Sequence, residues 1–395
     1  MPLRIIVAGL VGLYPVGGVA WDYLQYLIGL ARLGHDVYYH EDTWSWPYQP
    51  VERTYTSDGS YSARFIAAFL ATYAPELAQR WHYRHLHQAS FGMSAAAFDQ
   101  VARTADLFLN ISGACMLPDR LSPRCTTVFL DTDPGYNQIV FRQRFAWAEN
   151  VDRWCAGVAD HDRFFTYAEN INGADCLVPT LHMRWQPTRM PVVVDLWEPV
   201  TRQPAPAAAP WTTVMTWNAF KGRLMSQGVE YYSKDREFER LIDLPRLTGL
   251  PLMVAVGGVN PPVGRLRVHG WRVVDGPKVT AWPDRYQQFI AASRGELSAA
   301  KHVYAALNSG WFSCRSACYL AAGRPVVTQD TGFSRLLPTG EGLFAFRTAE
   351  EAVAALGEVE GDAERHARAA RVTAEEHFDS DRVLSCLVDD AFASV

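Results

Sequence analysis

Apolar and polar positions along the first half of the chain predict strands and helices in alternation. Leu3 to Gly9 is a continuous apolar run typical of a fully buried strand, and a glycine-rich turn follows it. Val19 to Leu33 carries apolar residues at helical spacing before Gly34, and His35 to Tyr39 predicts the next strand. This order is the opening βαβ unit of a doubly wound parallel sheet. Further strands are predicted at Leu107 to Ile111 and at Thr127 to Leu130.

The alternation restarts after a linker that we place at residues 197–211, where the run EPVTRQPAPAAAP cannot hold a strand. Beyond it we predict strands at Thr212 to Thr216, Leu252 to Val256 and Phe289 to Ala292, and a helix around Arg236 to Ile242. The fold class is therefore α/β, with two Rossmann-like, doubly wound domains at residues 1–196 and 212–395. A closing helical region, from Ala349 to about Ser394, is long enough to reach back to the first domain.

Composition narrows the class of protein. Apolar residues make up 49% of the chain and charged residues 20%, an ordinary globular balance, and the net charge of −5 predicts no nucleic-acid partner. The most apolar N-terminal stretch, Ile5 to Val19, is short and broken by glycines, so neither an integral membrane association nor an export signal is expected. Seven scattered cysteines without CxxC spacing favour the reducing cytoplasm and no zinc site.

The most informative segment is residues 309–332, which reads SGWFSCRSACYLAAGRPVVTQDTG. It predicts a turn, a helix from about Ser313 to Ala322 that ends at Gly323, and a short buried strand that ends at Gln329 and Asp330. A helix start with free N–H groups, hydroxyls and a cation is suited to a diphosphate. The side chains that we expect there are Ser313, Cys314, Arg315 and Ser316. Gln329 and Asp330 are expected to bond sugar hydroxyls in the same crevice.

The turn, the helix, the run AAGRPVV and the polar pair resemble the donor site of GT-B fold glycosyltransferases. GLFAF at Gly342 to Phe346 and the closing helices extend the resemblance. It implies a central cleft, a nucleotide-sugar on the C-terminal domain and a small-molecule or glycan acceptor on the N-terminal domain. It also implies no metal or cofactor, and leaves UDP, TDP or GDP open as the nucleotide.

The resemblance further implies a second cation, since Lys234 stands just before a helix where related enzymes place a lysine near the diphosphate. Asn218 and Lys221 lie behind it as further donor contacts. The sequence departs from the family pattern at Cys318, where many members carry a glutamate. We expect Glu296, in the segment with Arg294 and Gly295, to bind ribose or sugar hydroxyls in its place.

An inverting reaction needs a base on the N-terminal domain, whereas a retaining one does not, and the sequence leaves both open. The candidates are Asp22, His40, Asp131 and Asp133, with Asp131 preferred narrowly over Asp22. Asp22 follows Gly17 and Gly18, which are expected to form a loop that faces the acceptor. Asp131 and Asp133 also form a DxD, but a metal role is disfavoured because it lies far from the donor segment.

Two other functions fit a two-domain α/β chain. A nucleotide-sugar epimerase would need a carboxylate and histidine pair around the sugar, which the sequence does not supply. A non-catalytic protein that binds a ligand between two lobes is the other alternative. A nicotinamide cofactor is disfavoured, because the N-terminal glycines do not follow the GxGxxG spacing.

Overall fold

The computed structural model describes residues 1–143, 157–206, 208–219, 223–258 and 260–393. Its strands are β1 Arg4–Ala8, β2 Asp36–Glu41, β3 Tyr48–Gln49, β4 Thr54–Tyr55, β5 Trp81–His85, β6 Ala89–Gly92, β7 Leu107–Ile111, β8 Thr126–Asp131, β9 Arg163–Thr166, β10 Trp185–Pro187, β11 Trp211–Thr216, β12 Leu224–Ser226, β13 Val229–Tyr231, β14 Leu252–Gly257, β15 Arg272–Asp275, β16 Gly295–Ser298, β17 Val326–Gln329 and β18 Leu343–Phe346.

The helices are α1 Gly17–Arg32, α2 Ser60–Tyr73, α3 Ala95–Ala102, α4 Tyr136–Gln143, α5 Glu198–Thr201, α6 Lys234–Glu239, α7 Leu244–Thr248, α8 Val263–Val268, α9 Gly276–Val279, α10 Pro283–Ala291, α11 His302–Ala306, α12 Cys314–Ala321, α13 Ala349–Gly361, α14 Ala363–His377 and α15 Ser380–Phe392. Short 3-10 turns lie at Pro75–Leu77, Val194–Trp197 and Phe333–Arg335. Among the described helices, none is both long enough and apolar enough to span a bilayer.

Two separate sheets confirm the predicted pair of doubly wound domains. The N-terminal sheet has the order β10-β9-β8-β7-β1-β2-β5-β6, in which the β5–β6 pair is antiparallel and the other neighbours are parallel. The C-terminal sheet is parallel, with the order β15-β14-β11-β16-β17-β18. Each sheet reverses its winding beside its first strand, between β1 and β7 and between β11 and β16. Ligands in such sheets bind at the carboxyl ends of the strands at this reversal.

The domains are also joined by helices. Helix α1 of the N-terminal domain packs on α10 and on α15, and the Trp21 indole N–H donates to the Pro283 carbonyl at 2.8 Å. One apolar cluster contains Trp21 and Leu24 of α1 together with Tyr286 and Ile290 of α10. The last helix begins beside Val192, whose carbonyl accepts from the Ser380 N–H at 2.8 Å. The closing helices therefore return to the N-terminal domain.

One strand prediction is wrong. Phe289 to Ala292 was expected to be a strand, but residues up to Ala291 belong to α10, and the strand lies later, at β16. Tyr286 and Ile290, four residues apart, are both buried on one helical face, and Pro283 opens the helix, where its missing N–H costs nothing. Part of the predicted linker is also helical, because Pro199 lies in the first turn of α5, which tolerates it.

Candidate functional site

The predicted donor helix begins at the reversal of the C-terminal sheet. Ser313 precedes α12 in an extended conformation (φ −86°, ψ 133°), its side chain makes no capping bond, and the first turn carries no acidic residue. The hydroxyl of Ser316 is buried and has no hydrogen-bond partner in the described part of the chain. The positive end of the helix is therefore available to an anion.

Arg315 lies differently from our expectation. Its guanidinium pairs with the fully buried Glu296 carboxylate and donates to the Val214 carbonyl at 2.8 Å. A further N–H bonds the Ser298 hydroxyl. Burial opposes the charge of Arg315, but Glu296 raises its pKa above the ordinary value. The pair ties β11 to β16, so much of the charge of Arg315 is already compensated.

Of the two predicted cations, Lys234 is better suited than Arg315 to bind an anion in the crevice. It opens α6, is half-buried, and has no hydrogen-bond or ion-pair partner among the residues that the structure describes. Burial and the positive charges of Arg315 and Lys301 lower its pKa well below the usual value, although Glu296 acts in the opposite direction. Lys301, three residues after β16, adds a second ammonium nearby, and it pairs with Asp133 across the cleft.

Asp22 faces this helix start from the N-terminal domain. Its carboxyl group lies beside the Cys314 thiol and close to Arg315. Burial raises its pKa to about 7, against the hydrogen bond from Cys314 and the charge of Arg315. A carboxylate of this pKa is matched to proton transfer at neutral pH.

Asp131, the base that we preferred, is instead held by its own domain. One carboxylate oxygen accepts from Asn137 at 2.6 Å and from the Asp133 N–H at 3.1 Å. The other accepts from Gln138 at 2.7 Å and from Thr166 at 2.9 Å. Burial raises its pKa to about 6 in spite of these bonds. Every lone-pair direction of Asp131 is therefore used to anchor the loop after β8, whereas Asp22 faces the start of α12.

The structure does not bring Arg294 and Gly295 into the crevice. They lie at the amino end of β16, the opposite edge of the sheet. Arg294 binds Glu360 at 2.7 Å, and a Cβ at Gly295 would lie 2.5 Å from the Trp211 ring. His40 is likewise a core residue, buried and stacked on His82.

Gln329 and Asp330 lie at the expected edge, but their side chains are engaged. The Gln329 amide donates to Glu237 at 2.6 Å, and Asp330 accepts from Arg347 at 2.8 Å. Both residues line a surface cavity of about 370 Å³. Asn218 is exposed just after β11, and Lys221 falls outside the described residues. Within the described chain, no group of three or more His, Cys, Asp or Glu side chains could hold a metal ion.

Gly17 and Gly18 form a seam between the domains rather than an open loop. The Gly17 N–H donates to the Thr280 carbonyl at 2.6 Å. A Cβ at Gly17 would lie 2.4 Å from the Trp282 carbonyl oxygen, so only glycine allows this approach. The helix that carries Asp22 is thereby held against the donor domain.

We expect Gly17→Ala to lower the free energy of unfolding by about 1–3 kcal/mol, because the backbones of both domains would have to shift. Gly18→Ala is the matched control, since its Cβ would meet the Tyr286 ring at an ordinary 3.6 Å. Urea denaturation of the two variants measures the difference. Equal stability would show that the seam is not tightly packed.

Sequence reasoning missed Lys301. The signal is a lysine three residues after the end of β16, but the sequence pattern predicts that strand at residues 289–292, so Lys301 is remote from the predicted strand end.

Comparison with known proteins agrees with this architecture. Residues 249–389 match the sequence profile of the family described as "Glycosyl transferase-like". No curated protein sequence matches the chain significantly.

Similar solved structures extend over almost the whole chain. An alpha-glucosyltransferase in complex with UDP and a 13-mer DNA containing a HMU base has a TM-score of 0.59 at 11% identity, with 100% of both chains covered. HepE of Anabaena, in complex with UDP and glucose, has a TM-score of 0.54 at 13% identity, covering 99% of this chain and 100% of its own. AviGT4, a glycosyltransferase involved in avilamycin A biosynthesis, has a TM-score of 0.50 at 13% identity, covering 99% and 97%. The chain therefore has the GT-B fold of glycosyltransferases, and its residues 249–389 are similar to the glycosyl transferase-like family.

Proposed function

We propose that the protein transfers a sugar from a nucleoside-diphosphate sugar to a hydroxyl group of an acceptor. The observation that carries this proposal is Lys234, a half-buried ammonium without a hydrogen-bond or ion-pair partner in the described chain, on which Arg315 and Cys314 of the uncapped helix start act electrostatically. An unpaired buried charge is costly in a folded protein. A bound diphosphate would supply the missing counter-charge to the Lys234 ammonium, and this would offset the cost of burying it.

The main electrostatic task of such a reaction is to stabilise the leaving group. The bond between the anomeric carbon and the β-phosphate oxygen breaks, and its electron pair leaves with the nucleoside diphosphate. In this proposal Lys234 and the N–H groups at the start of α12 hold that charge, and Lys301, which is paired with Asp133, adds positive potential nearby. Arg315 supports them indirectly, because its pair with Glu296 fixes β11 against β16.

Asp22 completes the reaction on the acceptor side. The acceptor oxygen attacks the anomeric carbon, and its proton passes to the Asp22 carboxylate. A base on the opposite domain from the leaving group favours inversion of the anomeric centre. Gly17 supports this role by holding α1 close to the C-terminal domain.

The net charge of the chain argues against DNA as the acceptor. The similar alpha-glucosyltransferase was solved with DNA, but this chain has a net charge of −5, which does not favour a polyanion. A small molecule or a glycan is the acceptor that the composition supports.

Nucleotide binding by a Lys234→Met variant tests the proposal. We use UDP as the probe because HepE and the alpha-glucosyltransferase were solved with it, and TDP and GDP are compared in parallel. Loss of a charged hydrogen bond costs about 1.5–3 kcal/mol, so the affinity for the preferred nucleotide should fall about tenfold to a hundredfold in calorimetric titration.

Lys278→Met is the matched control, because Lys278 is an exposed lysine of the same domain. It should retain the affinity of the unmodified protein. Lys234→Met should also be at least as heat-stable as the parent without nucleotide, since it removes an unpaired charge. Unchanged nucleotide affinity in Lys234→Met, or no response of the parent to any of the three nucleotides, would argue against the proposed donor site.

A further inference from the structure

Two adjoining cavities lie on the surface of the C-terminal domain. The first has a volume of about 490 Å³ and is lined by Tyr232, Arg236, Glu239, Arg240 and His302. The second is the cavity of about 370 Å³ that Gln329 and Asp330 line, and it shares Arg240 and His302 with the first, so the two are continuous. We call them together the arginine groove, because it is lined by Arg236, Arg240, Arg335 and Arg347.

We propose that the arginine groove is an effector site, separate from the donor crevice, for a small organic ligand that carries two or more phosphate or carboxylate groups. Neither Lys234 nor Arg315 lines the groove. Lys234 and Arg236 are two positions apart on α6, which places them about 200° apart around the helix axis. Arg236 and Arg240, four positions apart, share a face. A ligand in the groove and a diphosphate in the crevice can therefore be bound together.

The groove presents guanidinium groups to solvent and keeps carboxylates beneath them. The side chains of Arg240, Arg335 and Arg347 are 67%, 56% and 63% exposed. Glu237 and Asp330, which pair with Arg240 and Arg347, are only 2% and 4% exposed. Each of the three arginines uses at most two of its five N–H groups in its ion pair, so the others remain for a ligand. Several such groups in one groove favour a ligand with more than one anionic group.

Arg236 carries a charge that no ion pair within the described residues compensates. Its guanidinium is exposed and lies 4.5 Å from the centre of the Tyr232 ring. Tyr232 is fixed in turn, because its hydroxyl donates at 3.0 Å to Glu230, a carboxylate that already pairs with Arg223. The remaining carboxylate of the first cavity, Glu239, is paired as well. An anion would therefore meet a preorganised cation without displacing a carboxylate from it.

His302, where the two cavities join, adds a neutral donor. Its Nδ1 accepts from the Tyr232 N–H at 3.2 Å, so the hydrogen of the neutral ring lies on Nε2. Burial lowers the pKa of His302, which keeps the ring neutral near pH 7. An N–H donor among guanidinium groups is suited to a phosphate or carboxylate oxygen.

A backbone bond connects the groove to the donor lysines. The His302 N–H donates to the Ser233 carbonyl at 3.3 Å. Ser233 directly precedes Lys234, and His302 directly follows Lys301. An anion bound here lowers the positive potential around both ammonium groups, so the effector and the nucleotide should weaken each other's binding. This coupling rests on the proposed donor site, whereas the groove itself does not.

Calorimetric titration tests the site with four probes, with and without saturating UDP. Fructose 1,6-bisphosphate and citrate are the multivalent anions, glucose 6-phosphate carries a single phosphate, and glucose is neutral. We expect at least one multivalent anion to bind at least about threefold more tightly than glucose 6-phosphate, and glucose not to bind. Comparing the bisphosphate with citrate separates phosphate from carboxylate ligands. Arg236→Gln should lower the affinity for the anion about three- to tenfold, and the bound anion should weaken UDP binding about threefold or more.

Arg267→Gln is the matched control, because Arg267 is an exposed arginine of the same domain that lies outside the groove. It should bind the anion as the parent does, and so should Lys234→Met. The inference is overturned if neither multivalent anion binds, if Arg236→Gln and Arg267→Gln bind it equally, if Lys234→Met abolishes its binding, or if it leaves the affinity for bound UDP unchanged. Failure of the transferase proposal is distinct, because UDP, TDP and GDP would then not bind, while the anion would still bind and still depend on Arg236.

Discussion

Arg315→Met should lower the free energy of unfolding by about 3–5 kcal/mol, because it leaves the Glu296 carboxylate buried without its partner. Glu296 is fully buried; one of its oxygens accepts from Arg315, and the other has no hydrogen-bond partner in the described chain. The double variant Arg315→Met with Glu296→Gln should recover most of this loss, since no unpaired charge remains. Urea denaturation of the two single variants and the double variant measures the coupling.

The ion pair of Arg294, which directly precedes β16, with Glu360 is the matched control. Arg294 and Glu360 are more exposed, with 22% and 29% of their side-chain surfaces accessible. Arg294→Met should therefore cost only about 1 kcal/mol. If Arg315→Met is as stable as the parent and instead loses nucleotide affinity, Arg315 contacts the diphosphate directly, as the sequence first indicated.

The donor helix was predictable from sequence because its signals are local. One short segment contains all of them: small residues surround Ser313, the helix ends at Gly323, and a buried strand follows Pro325. The structure places α12 at Cys314–Ala321, within a residue of the prediction at each end. The βαβ opening is local in the same sense, since Gly34 ends the helix and directs the chain into β2.

The partners of the charged residues were not predictable in this way. Arg315 and Glu296 are 19 residues apart, and the packing of α12 on β16 brings them together. Asp131 ends a strand at the ligand edge, as expected, but its bond to Thr166 depends on how β8 pairs with β9. Sequence spacing indicates which edge of a sheet a side chain occupies. It does not indicate whether another buried group has already used its hydrogen-bonding capacity.

Contacts between domains were the least predictable. The sequence predicts a ligand loop at Gly17 and Gly18. Small residues permit a turn, but they equally permit the close approach of another backbone, so the sequence alone does not distinguish the two. The distinction depends on Trp282, which lies 265 positions away in the chain. It matters for function because this seam brings α1, and Asp22 with it, to the donor helix.

Asp22→Asn should reduce kcat about a hundredfold to ten-thousandfold, which is the usual effect of removing a general base. In the parent, kcat should rise with pH through about 7, where the Asp22 carboxyl group loses its proton. The Asn variant should lose this rise, because the amide cannot take up the acceptor proton at any pH. Initial rates across pH 5 to 9, with saturating nucleotide-sugar, measure both effects.

The stability of the same variant gives an independent check. Since the folded-state pKa of Asp22 is raised from 3.8 to about 7, the folded protein binds the proton more tightly than the unfolded chain. Asp22 should therefore reduce stability progressively as the pH rises from about 4 to about 7. Asp22→Asn should be more stable than the parent above pH 7, so its lower rate cannot result from unfolding. Asp131→Asn is the control: it should destabilise the loop after β8 and preserve the pH dependence of kcat. The reverse result, with turnover lost in Asp131→Asn and kept in Asp22→Asn, would assign the base to Asp131.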